Sequence, residues 1–139
     1  VTLQHDASSP RIFIAEGVET GLSLKMAGVE GSIVASMGVH NIKNYTGPTK
    51  EIILCADNDG PDAQTNGVIK QAAEHFRTQG KSIFIVSPKT EGQDFNDVLK
   101  DEGTRSVQSY FKEHMRPDEH PHPNPERLIQ QKKDREMER

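Results

Sequence analysis

The sequence has one cysteine, no tryptophan and no long hydrophobic run. The single cysteine, Cys55, excludes an internal disulfide and a cysteine-rich zinc site, and a reducing cytoplasm is the setting we expect. No apolar stretch approaches the ~20 residues of a membrane-spanning helix, so we expect no membrane partner. The first ten residues lack the basic and apolar regions of a signal peptide, and Val1 in place of a methionine suggests a piece of a longer chain with further domains.

Positive charge is also scarce. The chain has 17 Lys and Arg residues against 21 Asp and Glu residues, which gives a net charge of -4. A domain that holds DNA through its own surface usually carries a basic patch, whereas an acidic balance fits a site that collects cations. If the substrate is a nucleic acid, metal ions or a neighbouring basic domain must offset the repulsion of its phosphates.

Apolar runs alternate with segments that have helical signals. The runs at 11–15, 32–36, 51–56 and 82–87 are short, continuous and rich in Ile, Val or Phe, which is typical of strands buried on both faces of a parallel sheet. The alternation favours βαβ units with right-handed crossovers. We therefore predict an α/β fold whose compact sheet has about four mainly parallel strands flanked by helices.

The helices between these strands are predicted from apolar spacing. The first covers 18–27, ends at Gly28 and places four apolar side chains near one face: Val18, Leu22, Met26 and Ala27. The next covers 62–79, stops before Gly80 and has a rough apolar stripe: Ala63, Val68, Ala72, Ala73 and Phe76. Between the second and third strands there is room for only one or two helical turns.

The length of 139 residues suits one domain. We place this domain at residues 11–115, after an N-terminal extension at 1–10. Residues 116–125 contain four prolines, which excludes a regular helix or strand, and the remaining stretch is highly charged. Residues 116–139 are therefore interpreted as a proline-rich linker and a charged helical tail.

Carboxylates follow two of the predicted strands directly. Glu16 comes after the first strand, and Asp57 and Asp59 come after the third. Because the carboxyl ends of parallel strands share one edge of the sheet, we expect these three side chains to meet there. Adjacent carboxylates repel one another, and Mg²⁺ or Mn²⁺ is the natural compensation because both ions prefer carboxylate and water oxygens.

The fourth strand is followed by further oxygen ligands at alternate positions, Asp94 and Asn96. Each acidic motif also has an ordinary structural explanation, since residues 57–60 have turn chemistry and Asp94 is a candidate helix cap. A calcium loop of the EF-hand type would need a glutamate at its twelfth position, where Val68 stands, so we exclude it. Three acidic motifs at three strand ends favour the metal site.

Two further polar residues are candidates for the cleft. Thr20 on the first helix could contact a phosphate or lie at a solvated helix start. His40 follows Gly38 at the end of the second strand and could line the cleft.

The motifs together resemble the TOPRIM domain shared by bacterial primases, topoisomerases and some nucleases. The family pattern is a glutamate after the first strand and Asp-x-Asp after the third, matched here by Glu16 in IAEGVETGLSL and by Asp57 and Asp59 in ILCADNDGPDAQ. The resemblance spans about residues 10–115. It is closest to the primase-like type found in phage and plasmid primases and in conjugative-transfer relaxases.

The segment GQDFNDVL resembles the third acidic motif of primases, usually Asp-Pro-Asp followed by an acidic residue. Asp94 matches the first aspartate, Asn96 stands in place of the second, and Asp97 matches the acid that follows. Phe95 replaces the proline. The asparagine implies a more weakly held second ion, because a neutral amide binds Mg²⁺ less well than a carboxylate does.

The resemblance implies a Rossmann-like fold and metal-dependent chemistry on phosphodiesters. It assigns Asp57 and Asp59 to binding of Mg²⁺ or Mn²⁺, and Glu16 to acid–base catalysis or to the same ion. Asp94 is implied as a ligand of a second ion, with Asn96 and Asp97 beside it. DNA or RNA and nucleotides are the implied partners.

Three functions remain open at this stage. The leading one is the catalytic module of a primase-type nucleotidyltransferase, within a plasmid-transfer relaxase for example, and the segment alone could be inactive. The second is a metal-dependent nuclease or strand-passing module, although Tyr45 and Tyr110 lie in no motif of a topoisomerase nucleophile. The third is a degenerate docking domain without catalysis, against which the intact acidic triad argues.

Overall fold

The computed structural model of the chain describes residues 1–114. The strands are β1 (Thr2–Gln4), β2 (Arg11–Ala15), β3 (Ser32–Ala35), β4 (Glu51–Cys55) and β5 (Ser82–Val86). The helices are α1 (Val18–Met26), α2 (Gln64–Thr78), α3 (Phe95–Glu102) and α4 (Thr104–His114), and a 3-10 helix covers Val39–Asn44. The four strands predicted from the apolar runs agree with β2 to β5 to within about one residue at each end.

The strand order in the sheet is β1-β3-β2-β4-β5. Strands β2 to β5 are parallel, and β1 pairs with β3 in the antiparallel direction at one edge. The predicted α/β class and mainly parallel sheet are confirmed, with one strand more than the four expected. The extra strand β1 lies in the segment interpreted as an extension, and its three residues are too few to show a periodic pattern.

Both faces of the sheet are covered, as the continuous apolar runs predict. Alternate strand residues such as Phe13 and Ile53 pack with α1, α3 and α4 on one face. Their neighbours, such as Ile14 and Leu54, pack with α2 and the 3-10 helix on the other. Since every central strand is enclosed on both faces, polar side chains concentrate at the strand ends, which is where the candidate site lies.

The predicted buried face of α1 is right at Ala27, which is buried, and wrong at Leu22 and Met26, which are 43% and 75% exposed. The helix instead buries Leu24 together with three small or polar residues: Thr20, Gly21 and Ser23. Gly21 explains the difference, because a Cβ atom there would overlap a Leu3 methyl group and lie 3.7 Å from Ile33. The helix therefore packs closely on β1 and β3 at Gly21, a contact that hydrophobic spacing does not identify.

Helix α2 is two residues shorter at its start than predicted and buries Ile69 instead of Val68, together with Ala72, Ala73 and Phe76. None of the helices in the described part of the chain combines the length and hydrophobicity needed to span a bilayer. The predicted linker and charged tail at 116–139 lie outside the described residues.

Candidate functional site

The carboxylates that follow β2 and β4 leave the sheet side by side. Ala15, the last residue of β2, pairs with Cys55, the last residue of β4. Glu16 and Asp57 therefore emerge from neighbouring parallel strands at the same edge, as the sequence predicts. The loop after β3 joins them there, since the Gly38 amide donates to the Glu16 carbonyl oxygen at 2.9 Å.

Glu16 and Asp57 form the centre of the site. Burial raises the pKa of Glu16 to about 7, with further contributions from the Asp57 charge, a hydrogen bond shared with the Asp57 carboxyl group, and the Asp59 charge. One oxygen of each group, Glu16 Oε1 and Asp57 Oδ1, is buried and has no hydrogen-bond partner. Two half-buried acids with unpartnered oxygens are unfavourable unless a proton or a cation lies between them.

Three further acids lie within electrostatic range of this pair. Burial raises the pKa of Asp57, and so do the charges of Asp94, Asp59 and Asp97, whereas the hydrogen bond from Glu16 lowers it. Asp57 and Glu16 are therefore electrostatically linked, and burial is the largest cause of the raised pKa in both groups. The structure thus brings the five predicted acidic residues to one region at the carboxyl edge of the sheet.

Asp94 and Asp97 also have a structural role, at the start of α3. Asp94 is the N-cap of the helix, and its Oδ1 accepts from the Asp97 amide at 2.8 Å. Asp97 Oδ2 in turn accepts from the Asp94 amide at 3.0 Å, which completes a capping box. The cap anticipated for Asp94 is therefore present, and it fixes the direction in which both carboxylates leave the helix.

Asn58, in the middle of the Asp-x-Asp motif, organises the site and was not singled out from the sequence. Its Nδ2 donates to the Pro88 carbonyl at 2.8 Å, and its Oδ1 accepts from the Gly60 amide at 3.1 Å. Its backbone also pairs with Gln93 and Gly92. The loop after β4 is thereby tied to the loop after β5. An asparagine beside a glycine in a turn is the local signal that could have pointed to it.

None of the hydrogen bonds described for residues 1–114 joins the remaining predicted residues to the side chains of Glu16 or Asp57. Thr20 is 5% exposed, inside the packing of α1 against the sheet. His40 is exposed and lines a small cavity of about 40 Å³ between the 3-10 helix and α2. The Asn96 amide is engaged by α1, through Glu19 and Ser23. Their roles in binding phosphate or a second ion remain predictions.

The donor set of the pair fits Mg²⁺ or Mn²⁺. Within residues 1–114, no three His, Cys, Asp or Glu side chains are close enough to form a ready-made ion site. Magnesium rarely uses such a cage: it is usually held by one or two carboxylates and completes its octahedron with waters and substrate phosphates. The unpartnered oxygens of Glu16 and Asp57 would supply the carboxylate part of that coordination.

The Glu16 pKa gives a testable pH dependence of stability without divalent ions. Because the pKa is raised from 4.5 to about 7 in the folded chain, the folded state holds the proton more tightly than the unfolded state does. The resulting stabilisation is complete below about pH 4.5 and is lost as the pH rises through 7. Solvent screening limits it to on the order of 1 kcal/mol.

Chemical unfolding between pH 4.5 and 8 in EDTA measures this dependence. The Glu16→Gln variant lacks the titrating group, so the difference in unfolding free energy between variant and wild type is expected to shift by about 1 kcal/mol over this range. A constant difference would show that Glu16 does not share a proton with Asp57.

Comparison with known proteins agrees with this geometry. The profile of the Toprim domain matches residues 11–105. A DNA primase domain from Pseudomonas aeruginosa is 21% identical with a TM-score of 0.58, and the alignment covers 75% of this chain and 33% of that one. The Aquifex aeolicus primase is 18% identical with a TM-score of 0.59, covering 75% and 26% respectively. A DnaG catalytic core is 20% identical with a TM-score of 0.61, covering 79% and 36%.

These identities establish a shared fold, and this chain spans only 26% to 36% of the length of those three primase chains. No curated protein sequence gives a significant match to the chain. The family match covers β2 to the start of α4 and includes every residue of the carboxylate site. The predicted resemblance is confirmed: the chain belongs to the Toprim domain family.

Proposed function

We propose that the chain carries out metal-dependent phosphodiester chemistry on nucleic acids, as the catalytic module of a primase-type nucleotidyltransferase. The observation that carries the proposal is the Glu16–Asp57 pair, whose buried oxygens lack partners at the carboxyl edge of a parallel sheet. A structural ion pair or a simple turn would satisfy these oxygens within the protein.

The acidic residues would hold the ions, and Glu16 would in addition carry a proton. Asp57 and Asp59 would hold the first Mg²⁺ or Mn²⁺, and Asp94 with Asp97 would support a second. A bound ion supplies charge neutralisation for the nucleotide phosphates and for charge that develops during transfer. Burial is the largest cause of the raised pKa of Glu16, about 7 without bound ions, so its carboxyl group would take up or release a proton of a reacting hydroxyl near neutral pH.

The start of α1 provides a complementary phosphate contact beside Glu16. The N-cap residue is Gly17, which has no side chain to accept from the first-turn amides. These amides carry the positive end of the helix dipole and remain available to an anionic group. The helix amides would bind the phosphate oxygens, and the neighbouring carboxylates would bind the metal ion that accompanies the phosphate.

The primase assignment rests on the fold neighbours and on the motif at 92–99. All the solved structures compared above are primase domains, and a further DnaG structure of the same fold is described as bound to single-stranded DNA. We accordingly take DNA or RNA and nucleotides as partners. A net charge of -4 does not favour a template held by this chain alone, so we propose that a basic region of a longer parent protein holds it, as in phage or plasmid primases and transfer relaxases.

Primer synthesis tests the proposal. Labelled nucleotide incorporation on a single-stranded template is measured with Mg²⁺ or Mn²⁺, on this chain and on the longer polypeptide predicted above. Glu16→Gln is expected to lower incorporation by at least about 100-fold, because it removes the acid–base group. Glu30→Gln, an exposed acid just before β3, is the matched control and should leave incorporation unchanged. Equal incorporation in wild type and Glu16→Gln would refute the proposal.

The alternatives give different results in the same experiments. A nuclease would nick supercoiled plasmid in Mn²⁺, in a reaction that requires Glu16, and would incorporate no nucleotide. A docking domain without catalysis would show no carboxylate-dependent ion binding in calorimetry. The unpartnered oxygens of Glu16 and Asp57 favour catalysis over docking.

A further inference from the structure

Asn96 connects two helices through both ends of its side-chain amide. Its Nδ2 donates to Glu19 Oε1 at 2.7 Å, and its Oδ1 accepts from Ser23 Oγ at 3.0 Å. These partners lie 77 and 73 residues away in the chain. Ser23 is only 3% exposed, and its hydroxyl also lies 3.0 Å from the Glu19 carbonyl oxygen. The amide thus meets an acceptor and a donor that are both fixed on α1.

The two connected helices carry two parts of the candidate site. Glu16 lies two residues before the start of α1, and Asp94 is the N-cap of α3. Asn96 lies in the first turn of α3, and its partners lie in the first two turns of α1. A bridge between the first turns of these helices restrains the spacing between Glu16 and Asp94, both of which influence the pKa of Asp57.

We infer that Asn96 is a positioning residue that ties α3 to α1 and sets the geometry of the carboxylate site, and that it is not an ion ligand. The functional part of this inference rests on the proposed function. The chemistry of the partners fits an asparagine: the Glu19 carboxylate accepts a hydrogen bond and the Ser23 hydroxyl donates one, and a side-chain amide matches both. An aspartate would place a second carboxylate against Glu19.

The Asn96→Asp substitution separates the two roles by the sign of its effect. If Asn96 were an ion ligand, the substitution would increase the affinity for the ion, because a carboxylate binds Mg²⁺ or Mn²⁺ better than an amide does. A positioning residue would lose its bond to Glu19, and the Mn²⁺ dissociation constant is expected to rise by about 10-fold, as when a residue that orients a ligand is changed. Affinity is measured by calorimetry at a temperature where all variants are folded.

A second substitution restores the bridge with its polarity reversed. In the double variant Glu19→Gln with Asn96→Asp, the new amide on α1 donates to the new carboxylate on α3, and Ser23 continues to donate. The net charge equals that of the wild type. We expect the Mn²⁺ dissociation constant to return to within about threefold of the wild-type value, because the two sites are directly coupled. Glu19→Gln alone keeps an acceptor for Asn96 and is expected to bind like the wild type.

Asn44→Asp is the matched control, since it makes the same chemical change at an exposed position at the end of the 3-10 helix. It should not alter Mn²⁺ affinity. Tighter binding by Asn96→Asp, or no recovery in the double variant, would overturn the inference.

Thermal unfolding of the same four variants in EDTA separates this inference from the proposed function. The bridge predicts a lower midpoint for Asn96→Asp and recovery in the double variant even if no protein binds an ion. Absence of Mn²⁺ binding by the wild type would refute the proposed function, while unchanged midpoints across the series would refute the bridge.

Discussion

Asp57→Asn is expected to weaken the binding of Mg²⁺ or Mn²⁺ by more than about 100-fold, because changes to residues that merely orient a ligand already cost 10- to 100-fold. Asp57 has a buried, unpartnered Oδ1, and the charges of three further aspartates raise its pKa. Replacing it by a neutral amide removes the charge that attracts the ion at the centre of the site. Calorimetric titration measures the loss, and nucleotide incorporation should fall with it.

The same variant is expected to be more stable than the wild type when no divalent ion is present. The amide of the new asparagine can donate to the Glu16 carboxyl group, and a repulsive charge is removed from a half-buried position. Unfolding in urea and EDTA at pH 8 should show a gain of about 1 kcal/mol. Opposite effects on stability and ion binding would indicate that Asp57 is retained for function at the expense of the fold.

Glu30→Gln is the control for this pair of measurements. It removes one negative charge from an exposed position near the amino end of β3, outside any helix, and should alter neither ion affinity nor ion-free stability. If Asp57→Asn lost both ion binding and stability, Asp57 would be a structural residue, and the proposed site would lose its centre.

The strands and the edge that carries the site could be predicted because both follow from burial. A parallel strand covered on both faces has to be apolar at every position, so β2, β4 and β5 are visible as continuous runs. Once these strands are parallel, the acids that directly follow them must share an edge. Glu16 and Asp57 were therefore placed together by topology alone.

Helix α1 shows where hydrophobic spacing fails. A helix that packs at an ordinary distance buries its large residues, but Gly21 permits a closer approach through a face of small side chains. The buried Ser23 hydroxyl then lies within hydrogen-bond distance of the Glu19 carbonyl oxygen and of Asn96, which is 73 residues away in the chain. Hydrophobic periodicity depends only on the residues of the helix itself and cannot include such a partner. The prediction therefore placed Leu22 and Met26 on the wrong side of the helix.

The contacts of the asparagines could not be predicted for the same reason. The capping box of Asp94 and Asp97 is local, with its two residues three positions apart, and a cap was anticipated there. Asn58 instead contacts residues 88, 92 and 93, and Asn96 contacts residues on α1. Their amides could be assigned only after the loops and helices had been placed.

Phe95→Ala is expected to destabilise the domain by about 3–5 kcal/mol. Phe95 is fully buried and packs edge-on to Tyr110 at 5.7 Å and against Phe111 at 5.2 Å between ring centroids. Phe111 in turn packs edge-on to Phe13 of β2 at 5.3 Å. The residue between Asp94 and Asn96 therefore anchors the acidic segment to α4 and the sheet. Urea unfolding in EDTA measures the loss, and Phe95→Leu should cost less than about 1.5 kcal/mol because it keeps most of the volume.

Phe95→Pro distinguishes the stability contributed by the aromatic contacts of Phe95 from that contributed by the backbone at the start of α3. Proline is favoured at the first position of a helix, and Asp94 already has the extended backbone, with φ of -110° and ψ of 178°, that a following proline requires. The backbone should therefore accept the change, although the aromatic contacts are lost. We expect a loss of about 3 kcal/mol, slightly less than for alanine because proline restricts the unfolded chain. Near wild-type stability of the proline variant would show that the ring contributes little, and that the segment is held by its capping box and by Asn96 instead.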